Sequence, residues 1–390
     1  MEINLRDYQQ ESHDAIINWV RANLAPCLIE AATGAGKSFI IAKVADTLLK
    51  LSGKGVLCIA PSAELVEQNR EKYLLTGEPA SIYSASLGRK DMRHPVVFGT
   101  PGTLKKRAHR IGDKFCAVVI DEAHGITPTV KHIIDEMKRV NPQLRVIGLT
   151  ATPYRLNTGY IYQLDENDKL VAEYEAIDPY FAKLVHKIPA HLLIERGYLT
   201  PPVIGDTDSH YDASHLKVNA SGKFNAKEVD KAFVGRGRKT SKIVADIVAR
   251  SRDKQGVMIF AATVQHAQEI MESLPPQISA IVTGGTKKGE RKDIIKRFKR
   301  KEIKYIVNVS VLTTGFDAPH VDVVALMRAT ESVGLLQQII GRGLRLHEDK
   351  EYCLILDYAE NIERHCPDGD LFNPNIVAYK KGEAVPLVCT

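Results

Sequence analysis

Two stretches at opposite ends of the chain hold residue types whose spacing suits phosphate chemistry: Thr33-Gly34-Ala35-Gly36-Lys37-Ser38 and Gln338-Ile339-Ile340-Gly341-Arg342-Gly343-Leu344-Arg345. In the first, the glycines let the backbone approach an anion, and N–H groups of the turn and of the following helix take phosphate oxygens. Lys37 then neutralises the β and γ groups while the Ser38 hydroxyl holds magnesium. The strict pattern opens with glycine and here Ala31 stands in that place, but the part that must touch phosphate is complete. In the second, Arg342 and Arg345 lie three apart at the end of a predicted helix starting near Ser332. Both can face one cleft, where a guanidinium on a transferred phosphoryl is worth roughly 10³–10⁵ in turnover. An isolated Arg-x-x-Arg also reads as a basic helix end complementing its own dipole.

Between them, Val118-Val119-Ile120-Asp121-Glu122-Ala123-His124 is an apolar strand ending in two carboxylates. Such an end lies at the edge of a parallel sheet where ligands bind. Asp121 would reach magnesium there, and Glu122 would orient and deprotonate an attacking water. Together the three stretches predict two lobes sharing one nucleoside triphosphate.

The elements that must position them are legible in the rhythm of the chain. Short apolar runs alternate with helix-like stretches, the signature of parallel strands with crossover helices. Strands are expected at 27–30, 56–60, 96–98, 117–120 and 146–149, and again at 257–260, 280–282, 305–309, 321–326 and 353–357. The expected fold is α/β, with a first lobe at 1–155, a partly helical inserted arm at 156–240, a second lobe at 241–360 and a tail at 361–390. At 390 residues the chain is too long for one ordinary core. No apolar run of membrane length and no leader pattern appears, so a soluble, cytoplasmic protein is expected. The six cysteines form no Cys-x-x-Cys pair, which fits a reducing compartment. A net charge of +6 is compatible with a polyanionic partner and decides nothing alone.

Taken in order, Leu5-Arg6-x-Tyr8-Gln9, the phosphate turn, Ala60-Pro61-Ser62-x-Glu64-Leu65, Asp121-Glu122-Ala123-His124, Leu149-Thr150-Ala151-Thr152-Pro153, Thr313-Thr314-Gly315-Phe316-Asp317-Ala318-Pro319 and the terminal arginine motif resemble a superfamily 2 helicase of the DEAH-box type. More closely the chain resembles the RadD family of bacterial DNA-repair ATPases, through Gly197-Tyr198-Leu199-Thr200-Pro201-Pro202, Val257-Met258-Ile259-Phe260-Ala261-Ala262-Thr263 and the block 307–321.

The resemblance implies two RecA-like lobes and the cofactors ATP and magnesium. It implies that Gln9 reads the adenine edge, that Gly315 and Asp317 touch the nucleotide from the second lobe, and that Gln338, Arg342 and Arg345 close on the γ-phosphate. Thr150 and Thr152 would couple hydrolysis to lobe movement. Pro61, Ser62, Thr100, Pro101, Gly102, Thr263, Thr283, Gly284 and Ser310 would line a strand-binding face. Small hydroxyls suit a phosphodiester backbone, and Ser and Thr at loop ends are equally ordinary helix caps.

The basic run 287–304 carries Ile294, Ile295 and Phe298 at helical spacing and reads as an amphipathic helix with solvated charges. Lys105-Lys106-Arg107-x-His109-Arg110 follows Thr100-Pro101-Gly102, and both a backbone-contact and a plain surface reading stand. RadD-type proteins continue into a cysteine-rich zinc-binding region, whereas this sequence ends at Val388-Cys389-Thr390. His365, Cys366 and Cys389 do not supply four ligands at a recognised spacing, so no metal beyond magnesium is expected.

The expected function is a DNA-stimulated ATP hydrolase of helicase type, acting on single-stranded, forked or duplex DNA. By resemblance it would be a nucleoid-associated bacterial protein of DNA repair and recombination, with single-stranded-DNA-binding protein and recombinase as partners; a monomer is favoured. The alternatives are a restriction-type duplex translocase, an RNA helicase and a non-catalytic nucleic-acid-binding scaffold.

Overall fold

The computed structural model describes residues 3–156, 158–219, 222–312, 316–374 and 376. The chain divides into two compact units: among the described residues the first runs to Pro189 and also takes in Ile376, and the second begins at Ala190.

The first unit is built on a nine-stranded sheet. Its strands are β1 (Cys27–Ala31), β2 (Gly55–Ile59), β3 (Ala80–Ser84), β4 (Arg89–Lys90), β5 (Val96–Gly99), β6 (Phe115–Asp121), β7 (Arg145–Thr150), β8 (Tyr162–Leu164) and β9 (Phe181–Ile188), in the spatial order β8-β9-β1-β7-β6-β2-β5-β3-β4. Every pairing is parallel except β3 with β4. Parallel neighbours need crossover connections, which cover both faces. That is why β2 is buried at all five positions and reads as an unbroken apolar run. Helix α1 (Asp7–Ala22) turns Tyr8, Ile16, Ile17 and Val20 inward, and α2 (Lys37–Ser52) does the same with Ile40, Ile41, Val44 and Leu48. Helix α3 (Ala63–Leu74) buries Leu65, Val66, Asn69 and Tyr73.

The second unit holds a six-stranded, all-parallel sheet: β10 (Pro202–Gly205), β11 (Gly256–Ala261), β12 (Ser279–Val282), β13 (Tyr305–Asn308), β14 (Val321–Met327) and β15 (Cys353–Asp357), ordered β10-β15-β14-β11-β13-β12. All ten expected strands are present within one or two residues of their expected ends. The helix Lys288–Lys299 buries Ile294 and Phe298 and leaves most of its charges in solvent, as the spacing predicts.

The inserted arm does not stand apart. Its residues 162–188 add β8 and β9 to the first sheet beside β1, and its residues 190–240 belong to the second unit, where β10 pairs with β15. Tyr211, Ala213, Leu216, Ala232 and Phe233 are buried in the second core. The Tyr211 hydroxyl bonds the Thr240 hydroxyl at 2.9 Å and the His266 Nε2 at 3.0 Å. Burial pushes His266 down to about 4, so this fully enclosed imidazole is neutral and serves as a structural tie. Among the described residues no helix is long and apolar enough to cross a membrane.

Phe181 joins β9 to the core of the first unit. It has no solvent exposure, meets Tyr180 edge-on at 5.2 Å, and lies where a Cβ at Gly148 would come within 2.5 Å of its ring. Phe181→Ala leaves a void that so close a packing cannot refill, and about 3–5 kcal/mol of stability is expected to be lost. Urea unfolding of the two proteins checks this, the expected outcome being a lower midpoint at an unchanged slope.

Candidate nucleotide site and arginine pair

The phosphate turn runs from the end of β1 into α2. Gly34 and Gly36 take φ of 95° and 79°, the left-handed region that a side chain disfavours. Gly36 caps α2, and a Cβ there would sit 2.5 Å from the Gln9 side-chain nitrogen. Lys37 opens the helix and no acidic residue lies in its first turn. A cation at a helix N-terminus opposes the dipole, and a bound anion corrects that arrangement.

Gln9 is buried against this turn. Its Nε2 donates to the Ala35 carbonyl at 2.9 Å and its Oε1 accepts from the Arg6 backbone N–H at 3.0 Å. The amide expected to read a base therefore also props the turn from behind, with one N–H beyond that bond.

Across from the turn, β6 ends in Asp121 and Glu122 follows it, the two only 4% and 9% exposed. Asp121 accepts from the Asn69 side chain at 2.8 Å and from the Glu122 backbone N–H at 2.9 Å. Burial and the neighbouring Glu122 push the Asp121 carboxyl up to about 6, against the pull of Lys37 and Asn69. Glu122 takes φ 51°, rare for a residue with a side chain. One of its oxygens lies 3.8 Å from the Lys37 Nζ and the other 3.4 Å from the His124 Nδ1. Lys37 also donates to the Ala31 carbonyl at 3.4 Å.

His124 links this pair to the end of β7. Its Nδ1 is 2.9 Å from the Thr150 hydroxyl, which in turn meets both the backbone N–H and the carbonyl of Thr152, at 3.1 and 3.3 Å. With the Thr150 proton directed to that carbonyl, Nδ1–H of His124 is the donor. Burial holds this imidazole below its ordinary value. Arg155 braces the same loop by donating to the backbone carbonyls of His124 and Ile126. Lys37, Asp121, Glu122, Thr150 and Thr152 are thus one connected set.

A cavity of about 940 Å³ opens on the first unit, with Asp121 and Glu122 in its wall. Pro61, Thr100, Pro101 and Gly102 line it, and so do Lys90, Lys106, Arg107 and Arg110. The basic cluster after Thr100 therefore faces the same concavity as the carboxylates. Ser62 lies outside that lining and caps α3 by accepting from the Leu65 N–H at 3.2 Å.

In the second unit Thr263 likewise caps its helix, accepting from the His266 N–H at 3.1 Å. The Thr283 hydroxyl accepts from the Gly285 N–H at 3.2 Å, and Gly284 lies in the same turn, past the end of β12. Ser310 takes φ 55° and its hydroxyl accepts from Arg328 at 2.7 Å. The expected helix near Ser332 spans Val333–Gly343, capped by that serine; Gln338 is buried along it and Arg345 lies just beyond its end. Arg342 and Arg345 converge: each donates an Nη1–H to the Phe316 carbonyl, at 3.1 and 3.0 Å, and Arg345 also pairs with Asp317. Asp317, expected on a nucleotide, is here the counter-ion of an arginine. Gly315 lies outside the described residues.

Asn69, His124 and Arg155 were not among the residues singled out for the site. Asn69 had a signal: it sits in the buried stripe Leu65, Val66, Asn69, Tyr73, where a polar side chain needs a partner.

Residues 2–155 match the family described as type III restriction enzyme, res subunit, and residues 239–347 match the helicase conserved C-terminal domain. The chain is 27% identical over 373 residues to "Putative ATP-dependent helicase IRC3" of Saccharomyces cerevisiae, covering 91% of this chain and 51% of that one. It is 25% identical over 387 residues to "DNA 3'-5' translocase XPB2" of Sulfurisphaera tokodaii, covering 91% and 81%. The fragment structure of "a putative HsdR subunit of a type I restriction enzyme" from Vibrio vulnificus YJ016 superposes with a TM-score of 0.69 at 22% identity, covering 93% and 65%. The chain thus spans about half the length of the yeast relative. These likenesses give each unit the RecA-like helicase fold.

Asn69→Leu removes the donor that favours the Asp121 carboxylate. The expected outcome is a titration of Asp121 at higher pH than in the parent, followed by carboxyl-carbon NMR.

Proposed function

We propose, from the premise that the chain is of the superfamily 2 helicase type with a type III restriction-enzyme-like first segment, that it hydrolyses ATP to move along DNA. The observation that carries this reading is the connected set of Lys37, Asp121, Glu122, His124, Thr150 and Thr152, set behind a phosphate turn and beside a cavity with basic walls.

The turn and the N-terminus of α2 bind the phosphates, and Lys37 meets their charge. Two adjacent buried carboxylates with one nearby lysine are short of positive charge, which fits a divalent cation held by Asp121 and Ser38. Magnesium bound there supplies neutralisation of the β and γ oxygens. Glu122 orients a water and takes its proton, its side chain aimed by the left-handed backbone and by Lys37 and His124. His124 and Thr150 connect that carboxylate to Thr152, the route by which hydrolysis is transmitted to the backbone after β7. Arg342 and Arg345 of the second unit stabilise the charge of the transferred phosphoryl. The strand backbone lies along Pro61, Thr100 and Gly102, with Lys106, Arg107 and Arg110 contributing phosphate contacts. The match to restriction-enzyme relatives favours a second reading, translocation on duplex without strand separation; displacement of a paired strand against displacement of a third strand from a triplex distinguishes the two.

ATP turnover with and without single-stranded DNA tests the proposal, and folded protein that turns over in neither condition would count against it. Glu122→Gln is expected to bind ATP and lose about 10²–10⁴ in turnover, since it cannot accept the proton. Arg345→Ala is expected to bind ATP nearly as the parent does while losing turnover by about 10³ or more. Asp121 must be ionised to hold the cation, and burial and Glu122 raise its carboxyl above the ordinary range, so turnover falls on the acid side as that carboxyl takes up a proton. Because the cation favours the ionised form, raising magnesium moves that acid limb to lower pH; pH profiles at two magnesium concentrations check the sign.

A further inference from the structure

Lys350 lies beyond every motif of the sequence, yet it is bound to backbone carbonyls next to the arginine pair. Its Nζ donates to the carbonyls of Gly343 at 2.9 Å, Pro319 at 2.9 Å and Val321 at 3.1 Å. Those three bonds use all the donors an ammonium has. Gly343, the last residue of the helix Val333–Gly343, is one of the two residues between the arginines, and Pro319 and Val321 follow Asp317 closely. Arg342 and Arg345 both donate to Phe316 of that same loop. The segment 316–321, the helix end 342–345 and Lys350 therefore close a ring of hydrogen bonds.

The helix end has no slack to compensate. A Cβ at Gly343 would collide with the Cys353 sulfur and come within 2.9 Å of Val324, so the helix end is pressed on β14 and β15. Burial pushes Lys350 down to about 8, and Arg345 adds repulsion to it. A neutral donor would tie two backbone segments at lower cost in desolvation. A cation there instead adds positive charge near Arg345 and fixes the backbone from which both arginines start.

We infer that Lys350 is a positioning residue: it holds the backbone that carries Arg342 and Arg345 so that both guanidiniums are presented together to a phosphoryl group. This rests on the reading of those arginines as the phosphate-contacting pair. Lys350 itself touches no substrate.

The test uses the full chain with Lys350→Met, Arg345→Ala and the double variant, measured for ATP turnover with saturating DNA and for thermal melting. Lys350→Met is expected to lower kcat by about tenfold or more with KM within about threefold of the parent. In the Arg345→Ala background it is expected to lower kcat further by less than about twofold, since the two residues act through one step. A Lys350→Met kcat within about twofold of the parent overturns the inference, as does an equal loss in both backgrounds, the signature of a purely structural role. Should Lys350→Met show no melting transition, Lys350→Gln, which keeps side-chain donors, is read by the same two criteria. If Arg345→Ala turns over like the parent, the reading of the arginines has failed and the inference falls with it. If Arg345→Ala is impaired and Lys350→Met is not, only the inference has failed.

Discussion

Two carboxylates held side by side at the end of one buried strand set the terms for the rest of the first unit. Asp121 and Glu122 are nearly removed from water, where ionised oxygens are costly unless opposite charge and donors surround them. The surrounding residues answer part of that need: Asn69 donates to Asp121, Lys37 approaches one Glu122 oxygen, and the His124 ring lies 3.4 Å from the other while its Nδ1–H goes to Thr150. The sheet order makes this possible, since β6 lies next to β7, and β7 lies next to β1, from which the phosphate turn springs. Strand ends that are distant in sequence therefore meet at one edge of one sheet.

The second unit has the opposite problem. Arg342 is buried, Arg345 is largely covered and pairs with Asp317, and Lys350 binds the carbonyl of Gly343 between them and adds repulsion to Arg345. Like charges are tolerated there because backbone carbonyls accept hydrogen bonds from their N–H groups. On the proposed reading, Asp317 is the partner that a phosphoryl group displaces, so turnover would depend on the contest between an aspartate and a phosphate for the same guanidinium.

Much of this was legible in the residues. Ten strands could be placed because parallel strands covered on both faces are written as short unbroken apolar runs, such as Val56 to Ile59. The phosphate turn was legible because only glycine takes φ near 79° or 95° without strain. β9 was not: Phe181-Ala182-Lys183-Leu184-Val185-His186-Lys187-Ile188 mixes apolar and basic residues, and its half-buried positions pair with β1 in a register no local pattern states. For the same reason the region after Tyr154 looked like an arm, since which sheet a strand joins is decided by long-range pairing. Roles in hydrogen-bond networks were the least visible. Ser62 and Thr263 are helix caps in the structure, and Lys350 gives no sign in sequence that three distant carbonyls converge on it.

The left-handed backbone at Glu122 carries a cost of its own. A residue with a side chain at φ 51° is strained by roughly 1–3 kcal/mol, and the burial of its carboxylate adds to that burden. Glycine or asparagine would occupy the same conformation more comfortably and bring no buried negative charge. On the proposed reading the proton-accepting residue is therefore one whose replacement would steady the fold, so that stability and turnover pull this position in opposite directions.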